Sequence, residues 1–113
     1  MHEMALCEGI IGIVEEEARK RAFSKVKVVC LEIGALSHVA PEAMQFCFEA
    51  VAARTIAKGA KLEIIETPGT AWCMACSTNV EIKQRYDACP SCGSYQLQVT
   101  GGEEMRVKEL EVD

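Results

Sequence analysis

The sequence lacks an excess of positive charge. It contains 12 lysines and arginines against 17 aspartates and glutamates, which gives a formal net charge of −5 and a pI of about 5.1. Binding to a nucleic-acid backbone requires a basic face that neutralises phosphates. The composition therefore argues against a nucleic-acid partner, and it is better suited to cations or basic protein surfaces.

Signals for membranes and for catalysis are also missing. The start of the chain has no cationic leader, and no apolar run is long enough to span a bilayer. We therefore expect a cytoplasmic protein with no membrane partner. The sequence contains no recognisable nucleophile–base pair and no phosphate-binding glycine loop. We expect that the protein is not an enzyme.

The chain is nevertheless rich enough in apolar residues to fold. It has 113 residues, and half of them are hydrophobic. This size suits one ordinary domain, or a small domain joined to a smaller one that a cross-link stabilises. Hydrophobic periodicity predicts helices and strands in a definite order. The predicted helices are 4–22 and 41–57, and the predicted strands are 25–34, 61–66 and 105–112.

The second predicted helix has a clear apolar stripe. Its buried positions are expected to be Met44, Phe48, Val51 and Thr55, widened by Phe46, Cys47 and Ala50. Pro41 suits the first turn of this helix, because a proline there loses no intrahelical hydrogen bond.

The segment 69–102 differs from the rest of the chain. It has short polar turns and few large aliphatic residues. It therefore cannot form a stable core of its own without a stabilising cross-link, which we call a staple. Two short strands are predicted within it, at 80–83 and 95–99. The predicted fold class is α+β: two helices on a three-stranded sheet form one domain, residues 1–68 plus 103–113. The stapled ribbon, residues 69–102, is inserted before the last strand.

The staple is indicated by the cysteines. Four of the seven stand in two C-x-x-C pairs, WCMAC and CPSCG, separated by twelve residues. Two such turns place four thiolates around one ion, which is the closed tetrahedral geometry of structural zinc. The predicted zinc ligands are Cys73, Cys76, Cys89 and Cys92. Rubredoxin-like iron and a redox-active dithiol remain as alternatives.

The remaining cysteines and the start of the chain have other patterns. Cys7, Cys30 and Cys47 are not at ligand spacing and are expected to be small buried hydrophobes. The chain begins MHE, in which a free α-amine, the amide of His2 and its imidazole are able to chelate one ion. Nitrogen donors arranged in this way suit square-planar Ni²⁺ or Cu²⁺. Taken alone, a histidine in second place is weak evidence, because it is more often solvated and inert.

Together these segments resemble a known family. MHE, LEIGALSHVAPEAMQFCFEAV, the WCMAC and CPSCG pairs, and EMRVKELEV are similar, in this order, to the HypA/HybF family of nickel-hydrogenase maturation proteins. The resemblance implies a nickel metallochaperone that binds Ni²⁺ through Met1, His2 and Glu3 and carries structural Zn²⁺. It also implies a HypB-type GTPase and the hydrogenase large subunit as partners, with urease as a further target in some bacteria. Self-association is left open.

The sequence departs from the family at one place. Some members have an acidic nickel ligand in the loop before the second helix, where this chain has Ala40. His38 lies nearby and is a tentative substitute ligand. The alternative to nickel transfer is a zinc-ribbon adaptor for protein interaction, in which the MHE segment is dispensable.

Overall fold

The computed structural model of the protein describes residues 2–113 and has the predicted α+β fold. Within these residues there are two helices and six strands. They are α1 (Glu3–Arg21), β1 (Val26–Gly34), α2 (Pro41–Ala52), β2 (Lys61–Thr67), β3 (Gly69–Cys73), β4 (Thr78–Ile82), β5 (Leu97–Gly101) and β6 (Met105–Val112).

Helix α1 forms almost as its periodicity predicts. The carbonyl of His2 accepts the first helical hydrogen bond, from the Leu6 amide at 3.0 Å. The helix ends where Ala22 adopts a left-handed conformation with φ 57°, a common way for a helix to stop. Its buried face consists of Cys7, Ile10, Ile11 and Val14, and the acidic residue Glu3 is buried as well.

Helix α2 is shorter than predicted. It ends at Ala52 rather than near residue 57. The hydroxyl and the amide of Thr55 both donate to the Ala52 carbonyl, at 2.9 and 3.0 Å, and the same hydroxyl accepts from the amide of Ala57. A threonine that bonds the backbone locally competes with helix propagation. The prediction for Phe46 is also wrong, because its side chain is 77% exposed.

The strands form two three-stranded sheets within residues 2–113. One has the order β2-β1-β6 and contains the three strands predicted outside the ribbon. The other has the order β4-β3-β5, with β3 antiparallel to both neighbours. The sequence predicted β4 and β5 with a shift of about two residues in each, and it did not predict β3. That strand ends at Cys73, a cysteine of the first C-x-x-C pair.

The chain divides into two compact units. The first comprises the chain up to Leu31, Val39–Ile65 and Val107–Asp113, and the second comprises Glu32–His38 and Glu66–Arg106. In the first unit, α1 and α2 pack against each other. The division at residues 68/69 and 102/103 stays a prediction.

The core of the second unit is small and contains metal-ligand candidates. Its buried cluster consists of Leu36, Ala71, Cys73, Val80, Ile82 and Cys89. Glycines allow close backbone approach beside it. A Cβ on Gly34 would overlap the Gly102 carbonyl, and one on Gly69 would lie 2.6 Å from the Ile82 carbonyl oxygen. Real Cβ atoms do not approach this closely, so side chains are excluded at both positions.

Neither helix that the structure describes is long and apolar enough to cross a membrane.

Candidate metal centres

The four cysteines of the two C-x-x-C pairs come together in the second unit. Their sulfurs all lie within 4.8 Å of one another. The Sγ atoms of Cys73 and Cys92 are 3.6 Å apart, and those of Cys76 and Cys89 are 3.8 Å apart. Four thiolates at a Zn–S distance of about 2.3 Å on a tetrahedron would be separated by about 3.8 Å. The observed spacing therefore fits one zinc ion.

Tight backbone turns hold each pair of cysteines. The amide of Ser77 donates to the carbonyl of Cys73, and the amide of Gly93 donates to the carbonyl of Cys89, both at 2.8 Å. Positive φ angles at Ser77 (53°) and Gly93 (78°) complete the turns. The two turns therefore resemble one another, which explains why the C-x-x-C spacing alone predicts this cluster.

The environment of the cluster sets how readily its thiols ionise. Burial opposes ionisation of Cys89, but the amides of Cys92 and Ser91 and the neighbouring thiols outweigh it, so the Cys89 pKa falls to about 7. The Ser94 amide favours the Cys92 thiolate, but Cys73, burial and the other two cysteines oppose it and raise the Cys92 pKa to about 12. The raised pKa therefore keeps the proton on Cys92 near neutral pH unless a cation lies among the sulfurs.

His2 stands at the first position that the structure describes, immediately before α1. Its imidazole is exposed and makes no capping hydrogen bond to the helix. Its carbonyl is engaged by the amide of Leu6. The first amides of a helix point away from the helix and have no intrahelical acceptor. The exposed imidazole of His2 and the first amides of α1 therefore lie at the same end of the helix.

Glu3 is the one buried charged residue in the described part of the chain. It is 8% exposed, and its carboxylate accepts a hydrogen bond from the Ala40 amide at 3.4 Å. Its own amide and then the Ala40 amide favour the carboxylate and lower the Glu3 pKa, with a smaller contribution from His2. Glu3 therefore ties the first turn of α1 to the residue that precedes α2.

The other predicted nickel ligands have different outcomes. Met1 lies outside the described residues. His38 is exposed in the loop after β1, in a left-handed conformation with φ 62°. Among residues 2–113, the four cysteines are the one group of three or more histidine, cysteine and acidic donors within ligating distance. That group includes none of His2, Glu3 or His38, so their role in metal binding stays a prediction.

Comparison with known proteins identifies the family of this chain. Residues 1–112 match the family described as hydrogenase/urease nickel incorporation, metallochaperone, HypA. The chain belongs to the HypA family. It is 90% identical over 113 residues, the whole of both chains, to hydrogenase maturation factor HypA 2 of Bradyrhizobium diazoefficiens. It is 66% identical, again over the whole of both chains, to HypA 1 of the same organism.

A solved structure supports the same conclusion. The chain is similar to the solution structure of the Ni metallochaperone HypA from Helicobacter pylori, with a TM-score of 0.71 and 29% identity. The match covers 99% of this chain and 97% of that chain. The recognition of the family from sequence segments is confirmed. A four-cysteine site consistent with zinc belongs to this HypA-family chain.

Two residues of this HypA-family chain were missed by sequence reasoning. Ala40 was noted only for the acidic side chain that it lacks, yet its amide binds Glu3. Leu36 was assigned to a loop, yet it is 2% exposed and belongs to the core that contains Cys73 and Cys89. Leucine is the largest apolar residue in the loop ALSHVA, and this was the available signal for burial.

Proposed function

We propose that the protein is a nickel metallochaperone that binds Ni²⁺ at its N-terminal Met-His-Glu segment and delivers it during maturation of [NiFe]-hydrogenase. The observation that carries the proposal is the arrangement at the start of α1. His2 presents an exposed imidazole there, and Glu3 beside it is buried and held by the Ala40 amide. The nickel donors are the α-amine of Met1 and the amide and imidazole nitrogens of His2, assisted by Glu3.

The position at a helix terminus supports this donor set physically. Nickel binds an amide nitrogen only after the amide loses its proton, which creates an anion. The N-terminus of a helix carries a partial positive charge that favours anions. The carboxylate of Glu3 offsets the unfavourable effect of that same charge on the cation. An all-nitrogen site of this kind favours square-planar, low-spin nickel, which is diamagnetic.

Deprotonation of the donors also makes binding depend on pH. The α-amine has an ordinary pKa of about 7.7–8.0, so it is mostly protonated at neutral pH. Nickel must displace that proton and the amide proton. The affinity for nickel therefore falls as the pH falls. Acidification, or a group that competes for the ion, promotes release of nickel.

The zinc proposed for Cys73, Cys76, Cys89 and Cys92 is structural. Four ligands fill a tetrahedral shell and leave no position for a substrate. The metal would staple the small core of the second unit, which supports a separate zinc-ribbon domain at residues 69–102 and a nickel domain at 1–68 plus 103–113. We propose no enzymatic role, because nickel delivery requires only ligand exchange.

Delivery requires partners that receive the ion. The proposed partners are a HypB-type GTPase and the hydrogenase large subunit, whose thiolates would accept the nickel. Membership of a hydrogenase and urease maturation family supports partners of this kind. His38 remains a tentative additional ligand. The runner-up function is a zinc-ribbon adaptor that binds protein without transferring nickel.

The proposed function is tested by complementation of a deletion strain, with and without added nickel. In a strain that lacks this protein, the His2→Ala variant should accumulate normally and retain zinc, but should fail to restore hydrogenase activity. Excess nickel in the medium should restore activity to that strain, because delivery by mass action replaces the chaperone. If His2→Ala supports normal activity without added nickel, the zinc-ribbon adaptor is the correct function.

A further inference from the structure

Two cysteines outside the zinc cluster lie on the helices that pack together in the first unit. Cys7 is on α1 and is completely buried, whereas Cys47 is on α2 and is half-buried. Neither has a part in the nickel or zinc sites. Sequence reasoning treated both as inert small hydrophobes, and no pattern along the chain relates them.

A direct contact places the two residues near one another. The Cys7 thiol donates to the carbonyl oxygen of Met44, with Sγ and O 3.6 Å apart. In an α-helix the carbonyl of residue i points along the axis towards residue i+4, so the Met44 oxygen lies beside Cys47 and Phe48. The sulfur of Cys7 therefore lies beside the turn of α2 that carries Cys47.

The two backbones are also close at this point. A cysteine side chain is short, yet that of Cys7 reaches the main chain of α2 without another side chain between them. A disulfide requires Cα atoms separated by about 4.4–6.8 Å, which a helix pair reaches only at its closest approach. The contact between Cys7 and the Met44 carbonyl shows that α1 and α2 approach closely at this turn.

We propose that Cys7 and Cys47 form a reversible redox pair, in which a hydroperoxide converts the two thiols into a disulfide that joins α1 to α2. Cys47 is the more accessible residue and reacts first: its sulfur attacks the peroxide O–O bond and becomes a sulfenic acid, with release of one water. The Cys7 sulfur then displaces the sulfenic oxygen as a second water. In total, two thiols and one hydrogen peroxide give one disulfide and two waters.

The electrostatic environment supports the order of these steps. Burial raises the pKa of the Cys7 thiol to about 11, and Cys47 and Glu3 contribute in the same direction. Cys7 therefore remains a protonated thiol at neutral pH and is a poor first target for peroxide, which reacts with thiolates. When Cys7 later attacks the sulfenic acid of Cys47, its proton leaves with the displaced oxygen as water.

The bond would fix the helix that begins at Glu3 to the helix that begins at Pro41. It closes a loop from residue 7 to residue 47 and restricts the unfolded chain, so the oxidised protein should have a higher Tm than the reduced protein. This inference does not depend on nickel binding, because neither cysteine is a proposed nickel donor.

The experiment treats the full-length, zinc-loaded protein with hydrogen peroxide, removes the oxidant, denatures the protein with a chelator and alkylates all remaining thiols. Reduced protein carries seven alkylatable cysteines. Oxidised protein should carry five, because one disulfide removes two, and peptide mapping should identify Cys7 joined to Cys47. A thiol reductant added before alkylation should restore all seven labels.

Matched variants make the result specific. Cys47→Ser contains six cysteines and should keep all six labels under the same treatment. Cys30→Ser removes a cysteine on β1 that is buried like Cys7, and this variant should still lose two labels. The proposal is overturned if Cys47 is oxidised while Cys7 still takes the label after denaturation. It is also overturned if the lost labels map only to the zinc cysteines.

Discussion

Glu3 and Cys7 lie one turn apart on the same face of α1, and each has its chemistry set by its surroundings. The carboxylate of Glu3 accepts hydrogen bonds from backbone amides, which favours its charged form. The thiol of Cys7 is surrounded by apolar residues and lies near other groups that become negative, which favours its neutral form. The surroundings therefore lower the pKa of Glu3 and raise the pKa of Cys7.

Substitution of Glu3 distinguishes a carboxylate that orients the site from one that ligates nickel. Glu3→Gln keeps a carbonyl oxygen that accepts from the Ala40 amide, whereas Glu3→Ala removes it. We expect Glu3→Ala to lower nickel affinity at least tenfold, in the range of about 10–100-fold that is typical of outer-shell groups. Glu3→Gln should retain most of the affinity. Calorimetry checks this, and equal large losses in both variants would mean that the carboxylate itself binds the metal.

The buried thiol of Cys7 predicts instability in alkali. Its pKa is about 11 in the folded protein against 9.0 for an ordinary thiol, so the unfolded state loses this proton first as the pH rises. The contribution of Cys7 to the free energy of unfolding is fully present below pH 9 and is lost between about pH 9 and 11. Urea unfolding at the two ends of that window measures the fall, and it should be smaller in Cys7→Ala. An equal fall in both proteins would assign it to other groups.

At the scale of elements, two glycines differ in how much space a side chain would find around them. Gly69 opens β3, where an added Cβ would lie 2.6 Å from the Ile82 carbonyl oxygen and 2.7 Å from the Leu36 side chain. Gly9 lies within α1 with nothing within 4 Å of an added Cβ. The same substitution should therefore have opposite effects at the two positions.

We expect Gly69→Ala to destabilise the protein by about 1–3 kcal/mol, the usual effect of forcing a methyl group into a packed site. Gly9→Ala should stabilise it by about 0.5–1 kcal/mol, because alanine has the higher helix propensity. Chemical denaturation of both variants gives the comparison. A neutral Gly69→Ala would contradict the close approach at β3, and destabilisation by Gly9→Ala would contradict the open space beside α1.

The elements also indicate which parts of the fold the sequence predicted. Both ends of α1 and both ends of β1 were predicted to within one residue, because apolar periodicity and the residues at the ends agree there. The end of α2 was not predicted, since Thr55 stops the helix through its own hydroxyl. The β3 strand was missed because its pairing with β4 and β5, rather than its short sequence, defines it.

The candidate sites also divide into features that the local sequence predicts and features that only the folded chain brings together. The cysteine cluster was predicted because the C-x-x-C turns are local and the spacer is short. The bond between Glu3 and the Ala40 amide joins residues 37 apart in sequence. Neither propensity nor motif spacing contains that information. The proximity of Cys7 to the turn that carries Cys47 depends on how two helices pack, so it was also absent from the pattern.

At the scale of the whole molecule, we expect a metal ion in the cysteine cluster to stabilise the second unit more than the first. Its buried cluster has six residues, and two of them are the zinc-ligand candidates Cys73 and Cys89. Without a cation, the four sulfurs lose the cross-link that would hold the two C-x-x-C turns together. The first unit contains most of the large apolar core residues, including Ile10, Leu31 and Met44.

Removal of zinc should therefore affect the two units unequally. With a strong chelator, hydrogen-exchange protection should be lost across residues 69–101, while residues 3–21 remain protected. Acidification should release zinc in the same way, because protons compete for the thiolates. Added Zn²⁺ at neutral pH should restore the protection. If protection of 69–101 is unchanged after zinc removal, the metal is not the staple of this unit.

The central claim is that the start of the chain binds nickel through its free amine. The most direct measurement is a nickel titration by calorimetry of zinc-loaded protein with a native N-terminus, beside the same protein with one residue added before Met1. The addition keeps every side chain and moves only the amine. We predict one strong nickel site in the native protein and its loss in the extended protein. Equal binding by both proteins would contradict the claim and place the nickel elsewhere.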